Sequence, residues 1–131
     1  MIFVDTGAWY ASLVPTDPDH AKAVQWLAAN HSPLLTTDYV IDEALTLLRV
    51  RGERTRALFL GAKLFQDAYG EIHKITIADL TLAWQTFEQF DDKNWSFTDC
   101  TSKVVMEQLR IDVAFAFDHH FHQFGTIQVV P

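Results

Sequence analysis

Cysteine, proline, glycine and long apolar runs are all scarce in this sequence of 131 residues. Cys100 is the only cysteine, so no disulfide can form within the chain and a reducing compartment is expected. With four prolines and five glycines, the chain shows no repeat, no low-complexity segment and no linker. No apolar run approaches the roughly 20 residues of a membrane span, and the start, Met-Ile-Phe-Val-Asp, lacks the basic region of a secretory signal. We therefore expect a cytoplasmic protein with no membrane partner.

Basic residues are also few, with ten Lys and Arg against seventeen Asp and Glu, which gives a formal net charge of −7. This balance argues against a protein that binds nucleic acid through a broadly basic surface. It does not exclude a nuclease, because carboxylates that hold divalent cations add negative charge which the bound ion cancels.

The composition is that of a globular protein. Hydrophobic residues make up 49% of the chain and charged residues 21%, which separates it from disordered sequences. The length suits a single domain that covers residues 1–131. Ten Phe and four Trp are many for this length, and the surplus indicates that a partner covers part of the surface.

Short apolar segments alternate with longer amphipathic ones. The predicted strands are 2–4, 33–37, 72–75, 113–117 and 127–130. The predicted helices are 7–14, 18–30, 38–51, 54–69, 78–90 and 99–109. The strands are nearly all apolar, which is typical of a parallel sheet buried on both faces. This order predicts a Rossmann-like three-layer α/β/α sandwich with a mainly parallel central sheet.

Polar residues at the helix starts predict the caps, which are Asp17, Asp38 and Thr98. Helical spacing predicts the buried faces. In the helix 54–69 the predicted inner stripe contains Leu58, Ala62, Phe65 and Tyr69. In the helix 78–90 it contains Leu82 and Trp84.

Two carboxylates directly follow predicted strands. Asp5 comes after the strand 2–4, and Asp118 comes after the strand 113–117. If both strands are parallel, the two side chains emerge at the same edge of the sheet, where ligands bind in open α/β folds. A charge at the end of a buried strand needs a partner or a metal ion.

Two further carboxylates belong to helices near the same edge. Glu43 borders the apolar stripe of its helix and leans inward, whereas Asp42 points toward solvent. Asp99 lies at the start of a later helix. Three of the four acids have an ordinary alternative: Asp99 complements a helix dipole, Glu43 is solvated, and Asp118 caps a turn. Taken together, the four carboxylates can meet in one pocket.

Four segments carry a family resemblance. They are Phe3-Val4-Asp5-Thr6, Thr36-Thr37 leading to Glu43, Ser96-Phe97-Thr98-Asp99-Cys100 and Ala116-Phe117-Asp118-His119-His120-Phe121. In this order, and over nearly the whole chain, the sequence resembles the PIN-domain family, and within it the VapC-type toxins of bacterial and archaeal toxin–antitoxin pairs. A PIN-like fold is what this resemblance implies.

The resemblance also implies an activity, which is hydrolysis of RNA phosphodiester bonds with one or two Mg²⁺ or Mn²⁺ ions. Asp5, Asp99 and Asp118 would be metal ligands, and Glu43 would bind metal directly or through water. Thr6 would orient Asp5 or hold a metal-bound water. The implied partners are a small antitoxin protein and a second copy of the chain. The sequence departs from many relatives at position 7, where Gly replaces a polar residue, and this puts a secondary metal contact in doubt.

Four of the ten basic residues lie around Gly52. They are Arg49, Arg51, Arg54 and Arg56. One hypothesis is a patch that grips RNA phosphates beside the active site, and the alternative is a solvated helix end.

A histidine run follows Asp118, with His119, His120 and His122. The three histidines lack the helical i, i+4 spacing of zinc motifs, which favours surface or structural roles. Cys100 is predicted to be a small buried residue, because no histidine is placed to activate it as a nucleophile.

Two other classes of protein share the predicted architecture. A receiver-like domain would need a second acid beside Asp5, an acceptor Asp directly after the third strand and a Lys near the last strand, and the sequence supplies none of these. A non-catalytic α/β binding module would have no reason to keep all four acids.

Overall fold

The computed structural model describes all residues from Met1 to Pro131. The five strands are β1 Ile2–Val4, β2 Leu34–Thr37, β3 Glu71–His73, β4 Val113–Phe115 and β5 Gln128–Val130. The six helices are α1 Thr6–Leu13, α2 His20–Ala29, α3 Asp38–Val50, α4 Arg54–Phe65, α5 Ile77–Gln89 and α6 Phe97–Leu109. A 3₁₀ helix covers His119–Gln123.

All five strands are parallel and lie in the order β3-β2-β1-β4-β5, which confirms the predicted fold class. The chain moves outward from β1 to β3, crosses back to β4 and then moves outward in the other direction. Because such crossovers are right-handed, this reversal distributes the helices over both faces of the sheet. The reversal lies between β1 and β4, which pair at Phe3 with Ala114.

The core sits around the two central strands. Phe3, Val4 and Phe115 have no exposed surface, and Leu35 of β2 has almost none. Strands this short remain in register because apolar residues occupy both faces, so each side of the sheet packs against a helical layer. At the entry to β3, a Cβ on Gly70 would lie 2.6 Å from the carbonyl oxygen of Leu34, so only glycine fits there.

The predicted caps were wrong by one to two residues. Thr37 caps α3, because its hydroxyl accepts from the N–H of Val40, whereas Asp38 accepts from the N–H of Ile75 and ties α3 to the segment before α5. Ser96 caps α6 in place of Thr98. Helix α2 begins only at His20, beyond the turn that Asp17 stabilises.

The predicted inner face of α4 was also wrong, whereas on α5 Leu82 packs against the core as predicted and only Trp84 does not. The buried residues of α4 are Ala57, Leu60, Gly61 and Leu64. Leu58, Ala62 and Phe65 face solvent, as does Trp84 of α5. The reason is that α4 carries apolar residues all around its axis, so periodicity cannot select a face. Helix α4 also ends at Phe65, earlier than predicted. None of the helices combines the length and the hydrophobicity that a membrane span requires.

Candidate active site

The two central strands end at one edge of the sheet, and the candidate site lies there. Asp5 directly follows β1 and occupies the N-cap position of α1. Strand β4 ends at Phe115, two residues before its predicted end, and a short segment leads from it to Asp118. Because the strand order reverses between β1 and β4, this edge is the position at which open α/β sheets form their binding crevices.

One cleft of about 300 Å³ at this edge brings together all four predicted acids. It is lined by Asp5, Thr6, Gly7, Glu43, Leu47, Asn94, Ser96, Asp99, Asp118 and His120. No Lys or Arg lines it. The cleft therefore concentrates negative charge with no neighbouring cationic side chain to balance it. The roles of the acids as ligands stay a prediction.

Asp5 is the most deeply buried of the four acids. Its side chain makes no capping hydrogen bond, and the residue is only 5% exposed. The pKa of Asp5 is raised to about 7, mainly by burial and also by the charges of Asp99, Glu43 and Asp118. The hydrogen bond from the backbone N–H of Thr6 lowers the pKa and offsets part of this rise. In the absence of a cation, this carboxyl group therefore holds a proton near neutral pH.

Asp99 combines a structural role with a place in the cleft. One of its oxygens, Oδ2, accepts from the N–H of Ser96 at 3.0 Å, and the Ser96 hydroxyl accepts in return from the N–H of Asp99. This capping box starts α6 at the cleft. One oxygen of Asp99 therefore has the structural role at a helix start that was the alternative to metal binding. Oδ1 is not used by the capping box and remains available to a ligand.

Asp118 and His120 form the opposite wall of the cleft. Oδ1 of Asp118 accepts from the N–H of His120 at 2.9 Å and caps the 3₁₀ helix. The ring of His120 lies between two acids, with Nδ1 3.0 Å from Oδ2 of Asp99 and 3.3 Å from Oδ1 of Asp118. With Nδ1 protonated, His120 donates a hydrogen bond that holds Asp99 and Asp118 together.

Sequence reasoning missed three polar residues of this cleft: His120, Asn94 and Ser96. The sequence signal that could have identified His120 is its position two residues after Asp118. An Asp that caps a turn accepts from the N–H two residues later, which brings that residue close to the carboxylate. The other two histidines, His119 and His122, are exposed, as predicted.

Glu43 enters the cleft from α3. It is partly buried, whereas its neighbour Asp42 is exposed, as the helical spacing predicted. On the other side of the cleft, the hydroxyl of Thr6 is buried and has no hydrogen-bond partner within the protein. A side chain at Gly7 would begin 4.0 Å from Oδ2 of Asp5, so glycine leaves the space beside this carboxylate open.

Cys100 is buried behind Asp99, which confirms the prediction of a buried residue. Burial raises the pKa of its thiol to about 11, and the charge of Asp99 adds to the effect. Since the thiolate is the nucleophilic form, Cys100 is inert at neutral pH.

The four arginines lie outside the cleft. The guanidinium of Arg51 stacks over the ring of Tyr10 at 4.9 Å, and Arg56 pairs with Glu53. Arg49 and Arg54 are exposed. The cluster begins about 9 Å along the axis of α3 from Glu43, at a rise of 1.5 Å per residue.

A parallel α/β sheet with a cleft of four carboxylates at its reversal point defines a class, and the comparisons with known proteins agree with it. The family model of the PIN domain matches residues 2–126. The chain belongs to the PIN-domain family, as the resemblance predicted.

Two relatives match the chain over its whole length. The 23S rRNA-specific endonuclease VapC20 of Mycobacterium tuberculosis is 34% identical over 132 residues, which cover 100% of this chain and 99% of that protein. The crystal structure of VapC20, described as a Sarcin-Ricin loop cleaving toxin, has a TM-score of 0.92 at 30% identity, with both chains covered completely. FitAcB from Neisseria gonorrhoeae has a TM-score of 0.72 at 15% identity, over 100% of this chain and 97% of that chain, which shows the shared fold alone.

The protonation of Asp5 leads to a stability prediction for the metal-free protein. Its pKa is about 7 in the folded state and near 3.8 in the unfolded chain, so folding favours the protonated form. The resulting stabilisation is present below pH 4 and is lost as the pH rises through 7. Asp5→Asn stays neutral throughout, so in EDTA it should melt several degrees above the wild type at pH 8, with the difference vanishing toward pH 4.

Thermal unfolding followed by circular dichroism at three pH values measures this difference. Asp42→Asn is the matched control, since it removes an exposed charge from the same end of the molecule and should leave the melting temperature nearly unchanged. A lower melting temperature for Asp5→Asn at pH 8 would show that the carboxylate is stabilised in the folded protein, contrary to the prediction.

Proposed function

We propose that this protein is a divalent-metal-dependent endoribonuclease and the toxin of a toxin–antitoxin pair. The observation that carries the proposal is the cleft that gathers Asp5, Glu43, Asp99 and Asp118 without any lining Lys or Arg. Full-length similarity to a protein named as an rRNA endonuclease supports the same reaction here.

The residues of the cleft fit a hard divalent cation such as Mg²⁺ or Mn²⁺. Such ions prefer oxygen ligands, which the four carboxylates supply. We assign Asp5, Asp99 and Asp118 as ligands, with Glu43 binding directly or through water. The unpartnered hydroxyl of Thr6 supports this fit, because it offers a hydrogen bond to a water or to Asp5 that nothing in the protein uses.

When bound, one or two ions would supply an activated water and stabilise the charge on the leaving oxygen. The chain itself provides the positioning. Helix α1 fixes Asp5 at the end of β1, and the hydrogen bond from His120 sets the orientation of Asp99. Such supporting contacts tune metal sites almost as strongly as the ligands do. Asn94 lies at the cleft and can donate to a phosphate without adding charge.

The substrate class follows from the relatives. VapC20 is named as 23S rRNA-specific and as cleaving the sarcin–ricin loop, and it matches this chain from end to end. We propose that the present protein also cuts a structured loop of ribosomal RNA in the cytoplasm.

Cleavage of 23S rRNA, in purified ribosomes and as free RNA, is the direct test. Fragments mapped by primer extension should appear with Mg²⁺ or Mn²⁺ and vanish in EDTA. Asp5→Asn and Asp99→Asn each remove a ligand charge while keeping the shape, so the rate should fall at least about a hundredfold, the upper range for loss of a supporting contact. Asp42→Asn should cleave at the wild-type rate.

Undiminished cleavage in EDTA, or wild-type rates in both ligand variants, would contradict the nuclease assignment. In cells, the wild type expressed alone should slow growth, and the Asp5→Asn variant should not. If the wild type is harmless yet cleaves RNA in vitro, the toxin assignment is wrong and the nuclease assignment stands.

The arginine cluster offers the positive charge that the cleft lacks. We propose that Arg49 and Arg54, whose side chains are exposed, contact phosphates next to the scissile bond, and that Arg51 and Arg56 border this patch. A bound strand extends beyond one phosphodiester, so residues about two helical turns from Glu43 can reach neighbouring phosphates.

Salt dependence tests the arginine patch. The logarithm of RNA affinity should fall with the logarithm of salt concentration, and each lost phosphate contact should flatten the slope by about 0.7 to 0.9. The double variant of Arg49 and Arg54 to Ala should therefore lose about 1.4 to 1.8 of slope. Arg110→Ala, at the far end of α6, is the matched control. Equal slopes for the double variant and the wild type would assign the cluster to a solvated surface.

Two exposed apolar faces support the proposed protein partners, a second copy of the chain and a small antitoxin. The α5 face contains Ile77, Trp84 and Phe87, which are 82%, 54% and 41% exposed. The α4 face contains Leu58 and Phe65, which are 58% and 68% exposed. Apolar surface of this kind on a small protein is typical of contact regions.

A charged side chain introduced into either apolar face should disrupt the protein contact that this face makes. We expect Trp84→Asp or Phe65→Asp to convert a dimer to a folded monomer in gel filtration with light scattering, or to abolish the complex with the co-expressed antitoxin. Gln85→Asp, an exposed position on the same helix as Trp84, should change neither. Intact dimer and intact complex in both variants would show that these faces are not interfaces.

A further inference from the structure

A second group of potential metal ligands lies beside the four-carboxylate cleft. Asp118, His119 and His120 are consecutive, and one ligating atom of each lies within 4.8 Å of the others. The capping bond from the N–H of His120 to Asp118 creates this arrangement by folding the 3₁₀ turn over the carboxylate. Nδ1 of His119 lies 3.5 Å from Oδ1 of Asp118, and Nδ1 of His120 lies 3.3 Å from the same oxygen.

These separations suit a small transition-metal ion. Zn²⁺ binds nitrogen and oxygen at 2.0–2.1 Å in a tetrahedron, which places neighbouring ligand atoms roughly 3.3 to 3.4 Å apart. The separation of 3.3 Å lies in this range, and that of 3.5 Å is 0.1 Å above it. The side chain of His119 is 77% exposed, so its ring is free to turn and close the third. Imidazole ligands also favour Zn²⁺ over Mg²⁺, which prefers oxygen.

We propose that Asp118, His119 and His120 form a Zn²⁺ site that shares Asp118 with the four carboxylates and His120 with the lining of their cleft. Water occupies the fourth position. His120 ligates through the lone pair of Nδ1, so its ring proton moves to Nε2 and the hydrogen bond to Asp99 is lost. His122 is exposed in the same turn and takes no part.

Zn²⁺ at this site inhibits RNA cleavage. It occupies Asp118, a ligand of the proposed catalytic ion, and withdraws the imidazole that positions Asp99. This consequence rests on the proposed function, whereas Zn²⁺ binding itself does not.

Titration calorimetry of the full chain with Zn²⁺, without Mg²⁺, tests the binding. The wild type, Asp5→Asn and His122→Gln should each bind one ion with equal affinity, and His119→Gln should bind at least about tenfold more weakly. Co²⁺ provides an independent reading, because a tetrahedral site with nitrogen ligands gives intense visible bands that an all-oxygen octahedral site does not. These bands should be lost in His119→Gln and retained in His122→Gln.

The cleavage assay tests inhibition. His119→Gln should keep the wild-type rate with Mg²⁺ and require at least about tenfold more Zn²⁺ for half-inhibition, while His122→Gln should behave as the wild type. Zn²⁺ binding that is lost in Asp5→Asn but kept in His119→Gln would place the ion in the carboxylate cleft and overturn the proposal, as would the absence of binding. If no metal supports RNA cleavage, the proposed function fails, and the calorimetry still decides on the Zn²⁺ site.

Discussion

The burial of one carboxylate, that of Asp5, is the constraint on which the candidate site depends. A pKa raised from 3.8 to about 7 corresponds to roughly 4 kcal/mol against the charged form. This figure already includes the favourable backbone N–H of Thr6 at the start of α1, and a helix dipole contributes only about 0.3 to 1 kcal/mol to a nearby charge. A proton or a cation must therefore accompany Asp5, and a cleft with three further acids favours the cation.

The topology explains why the acids meet. Asp5 and Asp118 follow adjacent parallel strands, and the helices that begin at the same edge bring Glu43 and Asp99. Polar contacts then fix the geometry. Ser96 holds one oxygen of Asp99, and His120 links Asp99 to Asp118. The capping bonds that start the helices are thus the same bonds that orient the candidate ligands, so the stability of the helix ends and the order of the site are coupled.

The sequence alone predicted the parts of this structure that depend on strong local patterns. Apolar runs identified the strands, and carboxylates at their ends identified the edge that holds the cleft. The inner face of α4 could not be predicted, because that helix is apolar on all sides and its packing, chiefly against α3, buries Leu60 and Leu64. His120 was missed for a different reason: its contact with Asp99 joins two distant segments, and no periodicity encodes it.

The acidic net charge is compatible with an RNA substrate, because a bound phosphate is affected by nearby charges much more than by distant ones. Four of the charges lie in the cleft, where one or two divalent ions would offset two to four of them. At an ionic strength near 0.15 M, other surface charges more than about 8 Å away are largely screened. A phosphate near the site would therefore respond mainly to the bound ions and hardly to the overall charge of −7. The net charge would then limit nonspecific binding to nucleic acid.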